Sequence, residues 1–105
     1  MSLFSVTTER RSGSLRVIPA GELDIAAADS LRARLAERAA SENLVLDLSR
    51  LDFMDTSGIQ VVVEAYRAAR DEGFDLCIVP APQPVQRVFE IAGLEEVLPF
   101  DHDDA

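Results

Sequence analysis

The sequence predicts an α/β domain in which a mixed, mostly parallel β-sheet is covered by helices, in the order β-β-α-β-α-β-α-β. Three observations carry that prediction. Apolar runs of strand length alternate with stretches whose apolar residues recur every three or four positions. Each helical stretch leads from one strand into the next, the pattern of right-handed crossovers on a parallel sheet. The 105 residues suffice for one core and are too few for two.

The first strand covers residues 3–8, rich in β-branched and aromatic side chains and placed at the sheet edge. Ser12, Gly13 and Ser14 supply a turn, and residues 15–20 return as its hairpin partner. Gly21, Glu22, Leu23 and Asp24 then form a loop that ends on an acid. From Ile25 the period changes. Ala28, Leu31, Leu35 and Ala39 mark one face of a helix reaching about Ala40, with Arg32, Arg34, Glu37 and Arg38 elsewhere on the wheel. Ser41, Glu42 and Asn43 lead out of it.

Residues 44–48 are a short apolar run of β-friendly composition, the third strand. An acidic loop follows, and then a helix whose first residues are Thr56, Ser57 and Gly58. Ile59, Val62, Val63 and Tyr66 give that helix an apolar face, and Asp55 or Thr56 is its N-cap, a side-chain oxygen accepting from the first free N–H groups. Gly73 suits the left-handed residue that closes a helix. Residues 74–79 form the next buried strand. Pro80, Pro82 and Pro84 cannot ladder in a sheet, and Pro84 fits the first turn of a helix carrying Val85, Val88, Phe89 and Ala92. Gly93 ends this helix, and residues 94–100 make a last short strand. The domain is expected to span 1–100, with 101–105 a disordered acidic tail. That tail holds the single His, His102, which is read as neither catalytic nor a metal ligand.

Composition excludes several functions. The net charge of −9 argues against nucleic acid, which needs a basic footprint, and against an anionic membrane surface. All ten basic residues are Arg, so no mechanism resting on a phosphate-loop Lys or a Schiff base is open. Cys77 has no internal disulfide partner and lies in an apolar run, as a reduced, buried residue of a cytoplasmic protein does. No run approaches the length of a membrane span, and the N-terminus lacks a signal-peptide core; the expected location is the cytoplasm.

Right-handed crossovers bring the loop holding Asp24 and the loop 52–57 to one end of the sheet, where open α/β sheets bind ligands and partners. Asp24, Asp52 and Asp55 read either as a Mg²⁺ site awaiting a substrate phosphate or as two helix caps and a solvated acid. The lack of a Lys or second basic group to complete phosphoryl transfer favours the caps, and no metal or cofactor is expected. Ser57 is no nucleophile of the G-x-S-x-G kind, and no His stands near it in sequence. As a plain residue of the first helical turn, or as an acceptor of phosphate from another enzyme, it fits equally well. Ile25, Met54 and Ile59 flank these acids, as apolar residues of a contact surface do.

The segment D-L-S-R-L-D-F-M-D-T-S-G-I, from Asp47 to Ile59, resembles the signature of the STAS domain of bacterial anti-sigma factor antagonists. G-E-L-D, from Gly21 to Asp24, resembles the family's first acidic loop, and V-Q-R-V-F-E-I-A-G-L, from Val85 to Leu94, its last helix. The resemblance implies a single STAS-like domain and a binding module, not an enzyme. In that family the unphosphorylated protein binds an anti-sigma factor that is also a serine kinase, and so frees a sigma factor. The kinase phosphorylates the motif serine with ATP, which separates the pair, and a PP2C-type phosphatase reverses the step. By position the acceptor is Ser57. Thr56 stands where the family often has Ser and is the second candidate. The expected contact surface is Asp24, Ile25, Asp52, Met54, Asp55, Thr56, Ser57, Gly58 and Ile59. STAS subunits of lipid-transport ATPases and of stress-sensing complexes share the fold, so a subunit never phosphorylated is the alternative, followed by a Mg²⁺-dependent phosphate-handling enzyme.

Overall fold

The computed structural model describes residues 3–101. The elements run β1 (Phe4–Arg11), β2 (Ser14–Leu23), α1 (Ile25–Leu35), β3 (Asn43–Asp47), β4 (Arg50–Met54), α2 (Thr56–Glu72), β5 (Leu76–Val79) and α3 (Gln83–Ile91). β1 and β2 form an antiparallel hairpin, whereas β2 pairs parallel with β3 and β4, and β3 parallel with β5. The mixed, mostly parallel sheet expected from the sequence is the one the chain forms.

Alternation along β2 sends Leu15 and Val17 to one face, where both are fully buried, and Arg16 and Ile18 to the other. Leu31 of α1, Val61 and Val62 of α2, and Phe89 of α3 join the first face in one cluster with Leu46 and Ile78. All three helices therefore share one side of the sheet. Burial of each such side chain contributes about 1.5–3 kcal/mol, which is what holds the helices down. α2 follows the expected register at Val62, but its buried stripe is Gly58, Val61, Val62, Ala65 and Ala69, with Ile59, Val63 and Tyr66 half-buried on its flank. Gly73 closes it at φ 78°, its N–H donating to the Ala69 carbonyl, as expected.

β2 carries two parallel partners in succession along the same edge. Ser14–Val17 pair with β3, and Ala20–Leu23 pair with β4. The break falls at Ile18 and Pro19. Pro19 has no N–H to give to a ladder, so the partner strand is free to leave and re-enter there. Asp47 fixes the bend. Its Oδ1 accepts from the Ser49 N–H at 3.0 Å and hydroxyl at 2.6 Å, and its Oδ2 accepts from Arg16 Nη2 at 2.7 Å. Burial pushes this carboxyl up, but the Ser49 donors and the Arg16 guanidinium overrule it and hold it below the usual carboxylate range.

Several expected boundaries are corrected. Gly21, Glu22 and Leu23 are the end of β2, not a loop, because β4 offers them a partner. The acidic loop after β3 is largely that strand, β4, so the order is β-β-α-β-β-α-β-α. α1 stops at Leu35 rather than near Ala40, leaving Ala39 exposed. Arg38 folds back beyond its end, donating to the Ala39 and Glu42 carbonyls, pairing with Glu72 at 2.8 Å and lying 3.6 Å over the Phe74 ring. Residues 94–100 are turns with one bridge, Ile78 to Phe100, not a strand. Asp101 is tied to the fold, its N–H donating to the Ile78 carbonyl at 2.8 Å; the rest of the expected tail, His102 included, lies outside the described residues. Cys77 is half-buried rather than buried, with Sγ 3.8 Å from Asp101 Oδ2.

Candidate functional site

β2 and β4 end in register, Leu23 beside Met54, so Asp24 and Asp55 leave the sheet side by side. The Asp55 N–H still donates to the Leu23 carbonyl at 3.3 Å. Asp24 has φ −107°, ψ −173° and caps α1, Oδ1 accepting from the Ala27 N–H at 3.0 Å. Asp55 has φ −106°, ψ −170° and caps α2, Oδ1 accepting from the Ser57 N–H at 2.8 Å. Two helix N-termini thus open at one end of the sheet, each with partial positive charge and one carboxylate. Bringing Asp24 and the 52–57 segment together was the expectation, and the geometry meets it. Of the two N-cap candidates for α2, Asp55 is the cap.

Thr56 is the first residue of α2 and exposed; Ser57 is the second and half-buried. What Asp55 holds is the Ser57 backbone N–H, so the cap does not consume the hydroxyl. Gly58 is buried, and a Cβ there would overlap Met54 Cγ and stand 3.0 Å from Leu23 Cγ. The helix start is pressed against the strand ends at the one residue without a side chain.

Met54 and Gly58, both expected on a contact surface, are buried, which is not where a surface contact would be made. Ile59 is half-buried against the core. Ile25 and Asp52 are exposed, Ile25 by 77%. The sequence reading missed Phe53, which is 48% exposed. The register passes from Leu51 opposite Gly21 to Phe53 opposite Glu22, leaving Asp52 as a bulged residue without a partner. The bulge turns both Asp52 and Phe53 outward while Leu51 and Met54 stay inside. No periodicity in the sequence signals it.

Chemically the site offers a hydroxyl at a helix start amid carboxylates. Among the described residues no three or more His, Cys, Asp or Glu converge as a metal site needs, and Asp24 and Asp55 spend an oxygen each on a cap. No helix among the described residues is long and apolar enough to cross a membrane.

A family model for the STAS domain matches residues 5–103. The chain belongs to the STAS-domain family. The anti-sigma F factor antagonist of Paenibacillus polymyxa is 32% identical over 100 residues, an alignment covering 92% of this STAS domain and 86% of the relative. In structure the domain is similar to an anti-sigma factor antagonist from Mycobacterium paratuberculosis, with TM-score 0.83 at 25% identity over 99% of this chain and 94% of that one. It shares the fold of unphosphorylated SpoIIAA, an anti-sigma factor antagonist, with TM-score 0.75 at 21% identity over 95% and 90% of the two chains. SpoIIAA of Bacillus also has a structure in its phosphorylated form.

Proposed function

We propose that this STAS domain is an anti-sigma factor antagonist whose binding is switched off by phosphate on Ser57. Its partner is an anti-sigma factor with serine kinase activity, and a PP2C-type phosphatase restores the bound state. The observation that carries this reading is the state of Ser57. Asp55 holds its N–H at 2.8 Å and leaves the hydroxyl outside the cap, next to exposed Thr56. Similarity to antagonists over nearly the whole chain supports the partner class.

Ile25 and Phe53 supply the apolar contact of the unmodified surface, an aromatic anchor being the commoner hot spot. In the modification step Ser57 Oγ bonds to the γ-phosphorus of ATP, the bond to ADP breaks, and the hydroxyl proton passes to a kinase base. The product carries about −1.5 to −2 charge. Inside the domain the α2 N-terminus favours that charge by roughly 0.3–1 kcal/mol, so the fold survives. Across an interface shaped for a neutral hydroxyl, the phosphate is buried without a partner beside Asp24, Asp52 and Asp55. A mismatched buried charge costs about 2–5 kcal/mol, and at 1.4 kcal/mol per decade that is roughly thirty- to several-thousand-fold in affinity. Affinity is lost while structure is kept.

The test uses wild type, Ser57→Ala, Ser57→Asp and Thr56→Ala, each incubated with the anti-sigma kinase and labelled ATP and then assayed for binding. Wild type and Thr56→Ala take label, Ser57→Ala takes none and binds permanently, and Ser57→Asp folds but binds weakly. Label lost in Thr56→Ala and kept in Ser57→Ala moves the acceptor by one residue. An unlabelled wild type, with binding indifferent to Ser57→Asp, would falsify the switch and leave an unmodified subunit.

A further inference from the structure

Two ion pairs tie α2 to α1 and to the segment that follows α1. Arg32 reaches Glu64, Nε donating to Oε1 at 2.8 Å and Nη2 to Oε2 at 3.2 Å. Arg38, beyond the end of α1, reaches Glu72 at 2.8 Å. Glu64, Ala68 and Glu72 follow one another at four-residue spacing, a row on α2 roughly 12 Å long. Its middle member is small. On α1, Ala36 stands four residues after Arg32 and caps the helix end. Where Ala36 and Ala68 come between the two bridges, a cleft of about 350 Å³ opens. Leu44, Val61 and Ala65, all buried, and half-buried Leu35 and Phe74 complete its apolar lining.

The charged groups around the cleft are committed to one another. Arg32 also donates Nη1 to Asp29 at 2.8 Å. Arg38 lies 3.6 Å over the Phe74 ring while donating to the Ala39 and Glu42 carbonyls. An entering anion would compete with a carboxylate already in place, and an entering cation with a guanidinium. Either would also give up water for an apolar wall. An uncharged molecule meets neither cost, and it supplies the dispersion contacts that two short Ala side chains leave unmade. The volume sits at the small end of ligand pockets, and a mostly apolar lining is their usual make-up.

We propose that this cleft binds a compact, uncharged, mostly apolar molecule of about the size of indole. The molecule sits between Ala36 and Ala68, against Leu44 and Phe74, with the Arg32–Glu64 and Arg38–Glu72 pairs closing the two ends. The site is independent of the Ser57 reading, since the α2 residues that line it begin at Val61.

The full chain is titrated by ¹H–¹⁵N NMR with indole and with its anionic and cationic counterparts, indole-3-acetate and tryptamine. Indole is expected to give saturable shifts centred on Ala36, Leu44, Ala65 and Phe74. The charged counterparts bind at least tenfold more weakly. Ala68→Leu and Ala36→Leu each fill the cleft with a branched side chain, and Leu suits a helix. Each variant keeps a folded spectrum and loses at least tenfold in affinity for indole. The two positions lie on different elements, so the test stands if one variant fails to fold. Shifts that never saturate, that centre outside the cleft, that a charged counterpart reproduces equally, or that survive in a folded variant overturn the proposal.

Discussion

Asp24 and Asp55 are structural counterparts: neighbours in register at the ends of two paired strands, within 3° of each other in both φ and ψ, and each capping a helix. The repetition aligns the N-termini of α1 and α2, and it sets Ile25 and Thr56, the first residue of each helix, at the same end of the sheet. The phosphate proposed on Ser57 would join two positive helix ends already supplied with one carboxylate each.

The two caps therefore separate stability from recognition. Asp55→Ala removes the acceptor for the Ser57 N–H and is expected to cost about 0.5–2 kcal/mol, with Asp24→Ala similar. Asn at either position keeps an acceptor oxygen and should restore most of the loss in a urea melt. Partner affinity of the Asn variants, measured by calorimetry, then reports what the negative charge adds beyond the cap.

Gly58→Ala forces a Cβ into Met54 Cγ and to 3.0 Å from Leu23. Neither neighbour can yield cheaply, since Met54 and Leu23 are both in the core. Chemical denaturation is expected to show a loss of about 1–3 kcal/mol, the usual cost of overpacking. A neutral result would mean that the helix start is not seated on the strand ends.

Gly21 sits at φ 92°, and a Cβ there would fall onto the Leu3 carbonyl oxygen, close to where the Glu22 N–H donates to it at 3.2 Å. Gly21→Ala combines left-handed strain with a backbone clash that no side-chain rotation relieves. It should be more damaging than Gly58→Ala, and a melting temperature at or above that variant's would contradict the hairpin register.

Asp47 carries a pH signature. Its folded-state carboxyl is held below the ordinary value, so its contribution to stability is full above the unfolded value of about 3.9 and is lost as pH falls through the lower folded one. Asp47→Asn is expected to cost about 1–3 kcal/mol near neutrality. The gap between variant and wild type should stay flat down to the ordinary carboxylate range and close below it; a gap that widens on acidification would contradict the assignment.

Val62→Asp places a charge at a fully buried position of α2 and should destabilise by about 3 kcal/mol or more, whereas Asp52→Asn, at an exposed bulge, should leave the urea midpoint unchanged. Equal midpoints would mean the helix faces are misplaced.

Features set by local physics were legible in the chain alone. The spacing of apolar residues set the existence of three helices, Gly73 marked the end of α2, and the D-T-S-G-I run marked a helix start with Ser57 in its first turn. Pairing was not legible, because a strand is defined by a partner distant in the chain. β4 reads as an acidic loop until Ala20–Leu23 are laid beside it. Pro19 explains why β2 changes partner midway, yet its meaning appears only when Val17 is seen opposite Leu46 and Ala20 opposite Arg50. The outward turn of Phe53 and the burial of Met54 follow from one bulged residue, Asp52, which breaks the two-residue period on which any reading of strand faces depends. Helix starts and caps are local properties of the chain, and only the tertiary register decided which of the neighbouring side chains are exposed and which are buried.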